Sequence, residues 1–94
     1  MGMKHVGGKD KGKIILYALS TCVWCKKTKR FLNDHGVAYD YLDVDLLEEE
    51  EKEKIKQEIT RWNPRCSFPT IVIDNSTCIA GYDEQKMKEV LGDD

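Results

Sequence analysis

Between positions 14 and 35 the chain changes its period. Ile14-Ile15-Leu16-Tyr17 is a continuous apolar run, the pattern of a strand buried on both faces. From Val23 onward Cys25, Thr28, Phe31, Leu32 and His35 recur at three- and four-residue steps, while Lys26, Lys27, Lys29, Arg30 and Asp34 fall largely elsewhere. That is a helix with one buried stripe, and Gly36 follows where a left-handed cap residue is expected. Ser20-Thr21-Cys22-Val23-Trp24-Cys25 stands between the two periods, so two thiols sit where a strand hands over to a helix. The first turn of a helix has N–H groups without partners and a positive dipole end, both of which favour a thiolate.

The rest of the chain extends this unit. Positions 37–44 alternate well enough for a second strand. Positions 46–62 set charged residues around Leu47, Ile55, Ile59 and Trp62, giving a second helix that Asn63-Pro64 ends. Its run from Glu48 to Lys54 reads as a solvated face rich in ion pairs rather than as chemistry. Positions 70–74 form a strand, Asn75-Ser76 a turn and positions 77–80 its hairpin partner. Gly81 breaks that strand, and Asp83 is the expected N-cap of a last helix with Met87, Val90 and Leu91 on its inner face. The order is βαβαββα, an α/β fold whose four-stranded mixed sheet is flanked by three helices.

With 94 residues there is room for one small domain, expected over 13–94, behind a glycine-rich tail at 1–12 read as flexible. A net charge of −2 gives no basic surface for nucleic acid. No apolar run has the length of a signal peptide or membrane span, so a cytoplasmic protein is expected, and it is expected to be a monomer. Four cysteines in such a chain point to reactive or metal-binding thiols rather than to a disulfide framework.

A Cys-x-x-Cys pair opening a helix allows attack by the first thiolate and closure of a disulfide by the second. Cys22, nearest the helix end, is expected to be the exposed, more acidic nucleophile, and Cys25, one turn in, the shielded partner. A zinc site would want a second such pair, whereas Cys66 and Cys78 stand apart and neither has a close cysteine or histidine, so no metal is assigned. Cys66 lies close enough in sequence to Pro69 to be weighed as a third redox thiol, Cys78 reads as core, and His5 and His35 have no apparent catalytic partner. Trp24 reads either as core or as an exposed platform beside the substrate. Pro69 heads an apolar strand; a trans bond suits a strand's first position, whereas a cis bond would turn the Phe68 backbone outward to pair with an extended substrate.

Three motifs in this order, Thr21-Cys22-Val23-Trp24-Cys25, Arg65-Cys66-Ser67-Phe68-Pro69 and Ile79-Ala80-Gly81-Tyr82-Asp83, resemble those of the glutaredoxin family of the thioredoxin-like fold. The resemblance spans roughly positions 13 to 91. It implies a thiol-disulfide oxidoreductase with Cys22 as nucleophile, Cys25 as resolving cysteine and Pro69 as the family's cis proline. It further implies that Phe68 supplies the backbone that grips a thiol, with Ser67 in the same motif and Arg65 where a cation meets a carboxylate. Gly81, Tyr82 and Asp83 then resemble the segment that receives the γ-glutamyl end of glutathione.

The chain departs from the common family pattern at Val23-Trp24, at Leu19 in place of a lysine and at Ala80 in place of a glycine. The long acidic second helix, Trp62-Asn63-Pro64 and Ser67-Phe68-Pro69 are similar to the archaeal methanoredoxin-like group. The resemblance implies no metal or organic cofactor, and a small thiol, glutathione or coenzyme M, as co-substrate. Its implied partners are disulfide-bearing proteins or small disulfides and a thiol reductant or thioredoxin-type reductase. The alternative it carries is an iron-sulfur cluster held between two subunits.

Overall fold

A computed structural model describes residues 4–10, 12–65, 67–74 and 76–91. In chain order the elements are β1 (Lys4–Val6), β2 (Ile14–Ala18), α1 (Val23–Asp34), β3 (Tyr39–Asp43), a 3-10 turn (Val44–Leu46), α2 (Glu49–Trp62), β4 (Thr70–Ile73), β5 (Thr77–Ala80) and α3 (Glu84–Leu91). They form a mixed sheet in the order β1-β3-β2-β4-β5, with β2 parallel to β3 and the other neighbours antiparallel. The apolar run at β2 is therefore the central strand. The period of two sends Ile14, Leu16 and Ala18 to one face, where they meet Phe31 and Leu32 of α1 and Met87 of α3. Ile15 and Tyr17 go to the other face with Ile55, Ile59 and Trp62 of α2.

Leu16, Ile71, Ile79 and Met87 have no exposed surface. Truncating such a side chain to alanine costs about 2–5 kcal/mol, part of it for the cavity left behind. The expected stripe of α1 is in place: Cys25, Thr28, Phe31 and Leu32 are buried and His35 half-buried. The helix ends as its glycine suggested. Gly36 takes φ +63°, its N–H donates to the Asn33 carbonyl and the Val37 N–H donates to the Leu32 carbonyl, closing the last turn.

Four expectations need correction. The sheet has five strands rather than four, and the fifth comes from residues 4–6, within the segment read as a flexible tail. Lys-His-Val carries no strand signal of its own; β3 supplies the pairing, and His5 lies opposite Asp40 with Nδ1 2.7 Å from Oδ1, a partner the sequence did not suggest. Next, α2 begins at Glu49 rather than at position 46, because 44–46 form a separate 3-10 turn closed by the Leu47 N–H on the Val44 carbonyl. Val90, expected inside, is 38% exposed on α3, whose inner face rests on Met87. Cys78, expected in the core, is half-buried. Cys66, Asn75 and the side chain of Leu91 lie outside the described residues. Among those described, no helix is long and apolar enough to cross a membrane.

Candidate active site

The sheet register gathers the three motifs at one end. Tyr17 of β2 pairs with Thr70 of β4, and Thr70 pairs with Ala80 of β5. The segment leaving β2 (Cys22), the one entering β4 (Phe68-Pro69) and the one leaving β5 (Gly81) are therefore neighbours. Cys22, Phe68 and Tyr82 all pack against the edge of the same core cluster. Two contacts tie the segments together. The Gly81 N–H donates to the Pro69 carbonyl at 2.7 Å, and the Trp24 and Tyr82 rings lie 5.7 Å apart at 31°.

The two thiols differ in their surroundings. Cys22 is the N-cap of α1, half-buried, and its Sγ accepts the Cys25 N–H at 3.2 Å. It takes the place that serine or aspartate takes at most helix starts, because a cap must offer an acceptor to the first turn. Cys25 has no exposed surface, and the Leu19 N–H reaches its Sγ at 3.5 Å. Burial pushes the Cys25 thiol from 9.0 up to about 12, and the hydrogen bond to Cys22 adds to it; the Leu19 N–H and the Lys29 charge pull the other way. One thiol is accessible and the other is held protonated.

Basic residues on α1 have separate employments. Lys29 Nζ sits 3.0 Å from Asp43 Oδ1 and 4.3 Å from the Tyr41 ring centroid. Lys27 Nζ lies 4.5 Å from the Trp24 ring centroid. Trp24 itself is 53% exposed, which decides between the core and platform readings in favour of an exposed ring beside the thiols.

The Phe68-Pro69 peptide is cis. Arg65 and Ser67 are exposed and Phe68 is half-buried, packed against both core clusters where the two faces of the sheet meet. Asp83 caps α3 as expected, its Oδ1 accepting the Lys86 N–H at 3.0 Å and its carbonyl the Met87 N–H at 3.0 Å. Gly81 before it takes φ +79°, a backbone state that side chains with a Cβ seldom adopt.

Two residues that hold this site were not read from the sequence. Asn63 reads from the sequence as a helix stop and as part of the Trp62-Asn63-Pro64 resemblance, with no side-chain role assigned, yet its buried amide organises the loop into β4. Its Nδ2 donates to Ser67 Oγ at 2.9 Å and Thr70 Oγ1 at 3.2 Å, and its Oδ1 accepts the Arg65 N–H at 3.2 Å. The only local hint was an asparagine before a proline, which also fits a plain turn. Asp45, in the 3-10 turn, accepts from Ser20 N–H at 2.8 Å and Ser20 Oγ at 2.5 Å. Those bonds hold its carboxyl below the usual carboxylate range.

Similarity to known proteins agrees with the geometry. The glutaredoxin family model matches residues 14–78. Glutaredoxin 1 of Rickettsia conorii is 37% identical over 76 residues, covering 78% of this chain and 72% of that protein. Methanoredoxin of Methanosarcina acetivorans superposes with a TM-score of 0.89 at 51% identity, over 92% of this chain and 90% of that one. The glutaredoxin from Methanosarcina mazei Go1 superposes with a TM-score of 0.90 at 50% identity, over 97% and 88% of the two chains. The chain belongs to the glutaredoxin family, is similar within it to the archaeal methanoredoxin-like group, and is a thiol-disulfide oxidoreductase.

Proposed function

We propose that Cys22 is the attacking thiol and Cys25 the resolving one, in a cycle that reduces disulfides of proteins or small molecules. The observation that carries this reading is the asymmetry of the pair: Cys22 is partly exposed at the helix start, and Cys25 is buried with its thiol held up to about 12. Cys22 thiolate attacks one sulfur of the substrate disulfide, forming a mixed disulfide and releasing the other sulfur as a thiolate that takes a proton from water. Cys25 then loses its proton, bonds to Cys22 Sγ and displaces the second substrate thiolate. The enzyme is left with a Cys22–Cys25 disulfide, and two electrons from an external thiol or reductase restore it.

In this reading the substrate lies between Arg65, Ser67, Phe68 and Pro69 on one side and Gly81, Tyr82 and Asp83 on the other, with Trp24 beside them. Among the described residues the Phe68 N–H and C=O make no backbone hydrogen bond, leaving both for an extended partner. Arg65 and the N-terminus of α3 offer positive charge to an anionic thiol. Leu19 stands at the site without a cation, and Trp24 against Tyr82 narrows the room for a γ-glutamyl arm. Both features favour coenzyme M over glutathione as the small-thiol co-substrate. A thioredoxin-type reductase is the other candidate donor, and turnover of one disulfide with each of the three reductants separates them.

The assignment of the two cysteines is tested by substitution. Cys22→Ser is expected to abolish disulfide reduction, and Cys25→Ser to accumulate a mixed disulfide on Cys22. Wild-type activity in both variants would sink the assignment.

A further inference from the structure

The carboxylate of Asp45 spends both oxygens on one residue, Ser20, which lies 25 positions away in sequence and two before Cys22. The Ser20 N–H that it accepts belongs to the same peptide unit as the Leu19 carbonyl. In a planar trans peptide those two groups point in opposite directions. Anchoring the N–H on Asp45 therefore aims the carbonyl away from it, and that carbonyl accepts the Cys22 N–H at 3.2 Å. The next amide back is the Leu19 N–H, the donor that reaches Cys25 Sγ. One carboxylate thus grips the short stretch of backbone that meets both cysteines, one through its amide and the other through its sulfur.

We propose that Asp45 is a positioning residue for the resolving step: it holds the Leu19-Ser20 peptide so that the Leu19 N–H stays on Cys25 Sγ as that sulfur becomes a thiolate. In the mixed disulfide the Cys25 thiol gives its proton to water, its electron pair forms the bond to Cys22 Sγ, and the Cys22–substrate bond breaks with its pair on the departing thiolate. A donor held on Cys25 stabilises the charge that appears in the middle of this sequence. A hydrogen bond to an ionised group is stronger than one to a neutral group, so the contact gains strength when the proton leaves. Burial of Cys25 makes that deprotonation the difficult part, and the Leu19 N–H is one of the groups that oppose the burial. The first attack, by Cys22, does not use this donor.

The proposal rests on the assignment of Cys22 as attacker and Cys25 as resolver, and its test reads the two separately. Reduced wild type, Asp45→Ala, Asp45→Asn and Ser20→Ala are mixed with a small aromatic disulfide, quenched in acid at set times and mapped by peptide mass spectrometry. Asp45→Ala is expected to form the Cys22 mixed disulfide at the wild-type rate and to resolve it about tenfold more slowly, roughly the effect of 1.4 kcal/mol in the barrier. Asp45→Asn keeps an oxygen for the Ser20 N–H and is expected to recover most of the resolving rate. Ser20→Ala keeps its own N–H on Asp45 and is expected to stay within about threefold of wild type, because the backbone bond rather than the hydroxyl fixes the peptide. Should Asp45→Ala fail to fold, the asparagine and Ser20 variants carry the test, and wild-type-like resolution is required of the first. Equal slowing of both steps, or an asparagine variant as slow as the alanine one, would overturn the positioning role. A mixed disulfide mapped to Cys25 would instead overturn the assignment of the cysteines.

Discussion

Asn63→Ala removes the amide that ties the end of α2 to the loop carrying Phe68-Pro69. Besides a marginal 3.5 Å bond to the Ser67 carbonyl, three shorter hydrogen bonds go with it: to Ser67 Oγ, to Thr70 Oγ1 and from the Arg65 N–H. At a net value of about 1 kcal/mol each the loss would reach about 3 kcal/mol. Arg65 and Ser67 are exposed and regain water, and the buried Thr70 hydroxyl keeps its own bond to the Ser67 carbonyl at 2.7 Å, so the expected cost is nearer 2 kcal/mol, on the order of two net bonds. In a domain of this size that lowers the unfolding midpoint by about 8–16 °C, read by circular dichroism on the reduced protein. Because the thiols are held by other groups, Leu19 and the start of α1, turnover of a small disulfide should show a raised KM with kcat within about twofold. A cycle with Thr70→Val should give a coupling of about 1 kcal/mol. A stability loss under about 0.5 kcal/mol, or a fall in kcat with KM unchanged, would refute the reasoning, since surface-like substitutions stay within that range.

Two further outcomes follow from particular groups. Burial raises the Cys25 thiol from 9.0 to about 12, so the folded protein holds that proton more tightly than the unfolded chain. The contribution is fully present below about pH 9 and is lost as pH climbs toward 12; urea midpoints of the reduced protein should fall over that range more steeply in wild type than in Cys25→Ala, and parallel slopes would contradict it. Gly36 takes φ +63° with open space where a Cβ would stand, so Gly36→Ala is expected to cost about 1–2 kcal/mol through the backbone alone and Gly36→Asn less, measured by thermal unfolding.

The parts of the fold that were legible are those whose signal is local. Ile14 to Tyr17 announces a central strand because both its faces are buried, and the stripe from Cys25 to Leu32 announces α1 because one face is. Asp83 reads as a cap from its place before a helical period, and its side chain does cap α3. The resemblance singles out three segments, and the register of β2, β4 and β5 places them side by side. What escaped is nonlocal. Lys4–Val6 becomes a strand only because β3 offers an edge. Asp45 and Asn63 look like ordinary loop residues until Ser20, Ser67 and Thr70 are brought against them. Val90 failed for a related reason: among the described residues of α3, Glu84–Leu91, the contact with the core is carried by Met87, and packing against the sheet rather than the period alone decides which apolar residue faces in.

The central claim is that the two cysteines are chemically unequal because one caps α1 and the other lies beneath it. The most direct measurement is the site of first modification in the reduced wild-type protein, treated briefly with a limiting amount of iodoacetamide near neutral pH and mapped by peptide mass spectrometry. The account expects the label on Cys22, with Cys25 unmodified until the protein is unfolded. Equal labelling of the two, or label on Cys25 first, would contradict it.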